Sequence, residues 1–154
     1  MSIRAALKTG LSVRFEVGSE AFEGHLVAAG QPPETAERVR CILARLSAEW
    51  AHLDTITWEE DAPVLARALY PMVTSYLLLE EDLIPSAGEQ IVLGLLDDAY
   101  LLLRALAALE PGGERDDDIA LLRDILGGGA CSVLDGLINS ALEEAAGELQ
   151  RQQG

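Results

Sequence analysis

Residues 86–109 are the most apolar stretch of the chain, twenty-four positions dominated by leucine and alanine, with charged side chains only at Glu89, Asp97, Asp98 and Arg104. At 1.5 Å per residue a helix of that length spans about 36 Å, enough to cross a bilayer. Its wheel is apolar nearly all round, except for one strip made by Gln90, Gly94, Asp97, Asp98, Leu101, Arg104 and Ala108. The three mid-segment charges decide against the bilayer, because each costs at least about 2.5–3.5 kcal/mol at its centre. The segment therefore predicts the central helix of a water-soluble bundle. An isolated buried charge would neutralise or destabilise that bundle, so Asp97, Asp98 and Arg104 need either solvent along the strip or paired partners.

The remainder of the chain supplies the helices that surround it. Apolar residues at Val39, Leu43, Leu46, Trp50 and Leu53 recur in a 4-3-4-3 rhythm after Pro32 and Pro33, which places them on one stripe of a helix. Thr57, Trp58, Glu59 and Glu60 read as a capping box opening a further helix, with Leu65, Leu69, Met72, Tyr76 and Leu79 inward and a kink or break near 67–71 from Pro71. Residues 80–85 are expected to interrupt helicity, and Ser86 to Glu89 form a second capping box. Beyond Pro111, Gly112 and Gly113, the acids Asp116, Asp117 and Asp118 cap a short helix through Leu126. Gly127, Gly128 and Gly129 read as a hinge. A last helix begins near Ser132, with Asp135 as its capping partner and Leu134, Ile138, Leu142, Ala145 and Leu149 inward. Weaker helices are predicted over residues 2–8 and 20–29. A length of 154 residues suits one domain with its own core, and strand formers are sparse. The expectation is an all-α, single-domain bundle of about six helices over residues 1–154, with 1–18 and 151–154 poorly ordered.

Charge narrows the function classes. Eleven basic against twenty-six acidic residues leave a net charge of −15, which repels phosphate backbones and anionic lipid headgroups, so nucleic acid is not an expected partner and a membrane an improbable one. Cys41 and Cys131, with His25 and His52, fit neither a disulfide framework nor zinc-ligand spacing. The first residues lack the apolar core and cleavage site of a secretory signal, and a cytoplasmic location is expected.

Few residues carry a chemical signature. Glu49 and His52 stand three apart on a helix, the spacing by which a carboxylate and an imidazole converge on one metal in di-iron bundles, but the second such pair those bundles use is missing. Asp97 and Asp98 are the more informative acids, because their apolar setting demands compensation, by Arg104, by another helix or by a ligand. Cys131 follows a glycine run at a predicted helix start, with no base nearby in sequence to activate it. The glycine run itself lacks the Lys-Ser/Thr ending of a phosphate-binding loop. The acidic runs 59–61, 80–82 and 116–118 do not alternate as calcium-binding loops require, and read as caps and solubilising charge.

Tyr76, the run Asp82-Leu83-Ile84-Pro85, and Gly94 followed by Asp97 and Asp98 together resemble the signature of the YkvA-like family, a domain of unknown function. The resemblance covers about thirty residues. It implies that Asp82, Pro85, Asp97 and Asp98 organise a helical hairpin, and it imports no enzymatic activity. Glu80 stands where the family pattern has proline, and the spacing to Gly94 is about two residues longer. With no catalytic set and no cofactor implied, the expected function is a non-enzymatic helical module that self-associates or docks a protein partner, with Arg104 and the hairpin acids as its marked residues. Two alternatives stand beside it: a metal-binding bundle or enzyme using Glu49, His52, Asp97 and Asp98, and a helical protein peripherally attached to a membrane.

Overall fold

A computed structural model describes residues 32–83, 89–112 and 115–153, apart from the side chains of 78–95 and 153. The helices expected at 2–8 and 20–29, and with them the count of about six, fall outside it. The described residues form five helices and no strand: α1 Pro33–Thr57, α2 Val64–Leu83, α3 Glu89–Leu109, α4 Arg115–Leu126 and α5 Gly128–Gln153.

Helix α1 opens at Pro33, whose fixed φ and missing N–H suit the first helical position. The whole expected stripe is excluded from solvent, with Val39, Leu43, Leu46, Trp50 and Leu53 at 0% exposure. Burial of each such side chain contributes about 1.5–3 kcal/mol relative to exposure. The helix then runs through the proposed capping box. Thr57 is its last residue, and the Thr57 hydroxyl donates back to the Leu53 carbonyl at 2.7 Å. A helix starting at Trp58 would carry Pro63 in its second turn, where the ring crowds the Glu59 carbonyl and leaves it no donor. Residues 58–63 therefore form a turn, and α2 starts after Pro63, whose carbonyl accepts from the Arg67 N–H at 3.3 Å.

Helix α2 corrects three expectations. It continues unbroken through Pro71, which faces solvent, and it extends to Leu83, so residues 80–83 are helical. Its buried face is Ala66, Leu69, Tyr70, Val73 and Leu77, with Leu65, Met72 and Tyr76 only half-buried on the flank. Choosing the largest aliphatics rotated the expected stripe, because small Ala66 and amphipathic Tyr70 in fact face inward. Leu79 lies outside the described side chains.

In α3, Leu96, Ala99, Tyr100, Leu101, Leu102, Leu103, Ala105 and Leu106 are all buried. The helix packs against each of the other four. Leu101 and Asp98 are fully buried, while Asp97, Arg104 and Ala108 of the same strip are half-buried. Among the described residues, no helix is long and apolar enough to cross a membrane. The helix ends at Leu109, and Gly112 takes the left-handed conformation at φ +84°.

The acids 116–118 occupy the first turn of α4, where they complement the helix dipole without serving as its N-cap. The glycine hinge reduces to one residue, Gly127, at φ +88°. Its N–H donates to the Arg123 carbonyl at 2.9 Å, and α5 begins at Gly128, four residues before the expected start. Leu134, Ile138 and Ala145 are buried as expected, but Leu142 and Leu149 are 38% and 46% exposed, their places taken by Cys131 and Ala141. The helix continues to Gln153, so 151–153 belong to its last turn.

Candidate functional site

Of the charged strip of α3, Arg104 is taken up in contacts between helices. Arg104 donates through Nε to Asp135 Oδ1 of α5 at 3.1 Å, so its ion-pair partner is another helix and not the neighbouring acids. Tyr100, one turn before Arg104, donates its hydroxyl to the same oxygen at 2.8 Å and accepts from Arg123 Nη2 of α4 at 2.8 Å. Arg123 reaches Asp135 Oδ2 at 3.5 Å and lies over the Tyr100 ring at 5.8 Å. One carboxylate, one phenol and two guanidinium groups thus tie α3, α4 and α5 together, the hydroxyl donating one hydrogen bond and accepting another. Burial pushes the Tyr100 hydroxyl above its ordinary range, against the opposing pull of the Arg123 hydrogen bond. Asp135, expected as a cap, is the hub of this network. Asp97 is half-buried and Asp98 fully buried on the same helix. Asp82 stands in the last turn of α2 with its side chain outside the described set, and Pro85 lies outside the described residues.

Glu49 and His52 do not converge on a shared point. Glu49 takes a two-pronged contact from Arg115, at 2.7 Å from Nε and 3.5 Å from Nη2. Arg115 also donates to Glu110 at 3.2 Å, and Glu110 meets His52 Nε2 at 2.9 Å. The result is a surface chain, Glu49–Arg115–Glu110–His52, that fastens α1 to the start of α4. For Arg115, burial disfavours the charged form, but Glu49 and Glu110 outweigh it and the net direction is upward. The His52 hydrogen bond, opposed by partial burial, holds Glu110 below the ordinary carboxylate range. Arg45 pairs with Asp118 at 2.8 Å beside this chain, and the small cavity between them, about 200 Å³, is lined by groups that already neutralise one another. Among the described residues, no group of three or more His, Cys, Asp or Glu side chains is placed to hold a metal ion. Cys131 is buried in the first turn of α5, and a buried thiol has no route to a substrate.

A more open site lies where α1 hands over to α2. A groove of about 530 Å³ is lined by Trp58, Tyr70, Pro71 and Arg67, with Thr57, Thr74 and Ser75 supplying hydroxyls and Glu59 at its rim. The turn forced by Pro63 puts Trp58 outside both helices, where it is 57% exposed. Its ring meets Tyr70 edge to face, with centroids 6.0 Å apart and planes at 81°. Beneath them, Trp50 stacks at a tilt on Tyr70 at 6.1 Å and donates Nε1–H to the Thr74 hydroxyl at 3.3 Å. The Tyr70 hydroxyl donates to the buried Asp54 carboxylate at 2.9 Å. The exposed indole is thus backed by a fixed aromatic floor, the combination of rigid apolar wall and few polar groups that marks binding grooves. Pro71 adds another polar point, since it offers no N–H to the Arg67 carbonyl one turn back. Sequence reading assigned Trp58 to a capping box. The signal for its true place was Pro63, five residues on.

Compared with known protein families, with curated proteins and with solved structures, the chain matches none.

Proposed function

We propose that this chain is a non-enzymatic interaction module that docks a protein partner in the groove formed by Trp58, Tyr70 and Pro71. The observation that carries the reading is the exposure of Trp58, 57% open to solvent on an immobilised aromatic floor. Exposed, rigid tryptophans are the side chains that anchor partners most often, and their truncation typically costs at least about 2 kcal/mol of binding. The YkvA-like resemblance belongs to the same proposal: it imports no activity, and it implies only that Asp82, Pro85, Asp97 and Asp98 organise a helical hairpin.

The test is capture from the native host with tagged wild-type protein and with Trp58→Ala. Partners bound by the wild type are expected to be lost from the variant while its thermal midpoint moves by less than about 2 °C, as for a surface substitution. Recovery of the same partners at the same yield would refute the reading.

A further inference from the structure

We infer that the groove takes its partner through one acidic side chain, a Glu or Asp whose carboxylate pairs with the guanidinium of Arg67. The inference rests on the groove being the docking site, and it names the chemistry of what docks. Every other arginine among the described residues has an ion pair or another polar contact. Arg67 is exposed and has no ion pair and no side-chain hydrogen bond there, although the chain carries twenty-six acids and Glu59 lines the same groove. A cation left open among so many acids, in a cavity of about 530 Å³ with a mainly apolar lining, is placed to receive an anion from outside. The planar guanidinium fork matches a carboxylate with two parallel hydrogen bonds, and the apolar lining strengthens the pair by thinning the water around it.

The wall that carries Arg67 decides which carboxylate. Arg67, Pro71 and Ser75 stand one turn apart along α2 and line the groove together. Capture of a chain-terminal carboxylate uses a nest of free backbone N–H groups, whereas those of this wall are engaged in the helix or, at Pro71, missing. A side-chain carboxylate needs only the fork. Glu59 in the lining, followed by Glu60 and Asp61, repels a second acid, and the charge of −15 disfavours an acidic run before contact. The groove thus selects a single acid in an otherwise uncharged segment.

Three six-residue peptides, acetylated and amidated at their ends, set Leu and Phe around one central Glu, Gln or Lys, and a fourth has central Gln with a free terminal carboxylate. They are titrated by calorimetry into the full chain at about 0.15 M salt. The Glu peptide is expected to bind about fivefold more tightly than the other three, to lose that advantage in Arg67→Gln and to keep part of it in Arg67→Lys. Glu59→Gln should leave its affinity equal or tighter. Arg151→Gln removes the same charge from an exposed position on α5 and should change it less than about twofold. Thermal midpoints within about 2 °C of the wild type are expected for these surface variants. Equal weakening by Arg67→Gln and Arg151→Gln would show only the general field and overturn the inference. So would equal affinity for the Glu and Gln peptides, tighter binding of the Lys peptide or of the terminal carboxylate, or no binding of the Glu peptide at about 5 mM, far above the affinity such a contact supplies. If Trp58→Ala still loses the native partner in those cases, the groove reading stands and only the partner's chemistry is wrong.

Discussion

The α3–α4–α5 junction and the α1–α2 groove use the same ingredients, an aromatic ring, an arginine and a carboxylate, to opposite ends. At the junction, Tyr100, Arg104, Arg123 and Asp135 satisfy one another at 2.8–3.5 Å, and the ring at the centre is fully buried. At the groove, Trp58 is exposed, Arg67 has no ion-pair partner among the described residues, and the acids of the turn point into no pair. Charge on an apolar helix drew attention to the first region, yet its polar groups are consumed in holding helices together. What distinguishes a site from a fastening is charge left open to a ligand, and at the groove Arg67, Glu59, Glu60 and Asp61 are exposed and in no ion pair among the described residues.

Removing the hub of the fastening should have the largest effect. Asp135→Ala leaves two guanidinium groups and the Tyr100 hydroxyl without their common acceptor, and a loss of about 2–3 kcal/mol in urea unfolding is expected. Tyr100→Phe keeps the buried ring and deletes one donor and one acceptor, so about 1 kcal/mol is expected. Neither variant should alter binding at the groove. Should Asp135→Ala cost less than about 0.5 kcal/mol, or weaken partner capture at unchanged stability, the division between fastening and site would fail.

Much of the fold was legible because periodicity reports burial directly. Val39, Leu43, Leu46, Trp50 and Leu53 obeyed their rhythm, and the apolar segment ended at Leu109 as its Pro-Gly signal requires. The misses share a cause, the treatment of local chemistry as sufficient. Thr57 with Glu60 has the composition of a capping box, but Pro63 excludes a helix there, and the same proline creates the exposure of Trp58. Asp135 has the spacing of a cap, but its partners on α3 and α4 are distant in sequence and become neighbours only on folding. For Arg104 the sequence left solvent and a partner both open, and no pattern within α3 could name Asp135.

Gly127 sharpens the comparison, since the geometry of the fastening depends on it. It alone separates α4, which carries Arg123 in its last turn, from the start of α5, and φ +88° is a conformation that costs an L-residue roughly 1–2 kcal/mol. Gly127→Ala should therefore destabilise by about that amount, although nothing lies within 4 Å of the added methyl. Gly129→Ala is the control: it sits in the first turn of α5, also has open space, and should be neutral or stabilising by a few tenths of a kcal/mol. If the Asp135→Ala cost shrinks in the Gly127→Ala background, the hinge and the network act as one unit, whereas simple additivity would separate them.

The smallest expected effect belongs to the surface chain, which stands between the two regions in character: paired like the junction, solvated like the groove. Glu110 and His52 are each more than 40% exposed, so their 2.9 Å contact contributes at most a few tenths of a kcal/mol after screening. Its sign is fixed by the lowered pKa of Glu110, attributable first to the His52 hydrogen bond. A carboxylate with a folded pKa below its unfolded value of about 4.3 binds fewer protons in the native state. Its contribution is therefore complete above that value and is lost as pH falls through the folded pKa. His52→Ala should raise the pH of acid unfolding slightly in low salt, with the difference vanishing in 0.5 M or so of salt as screening shortens to a few ångströms. A shift that survives high salt would mean that the pair behaves as the buried junction does and that exposure, the property used to separate the regions, does not set their energetics.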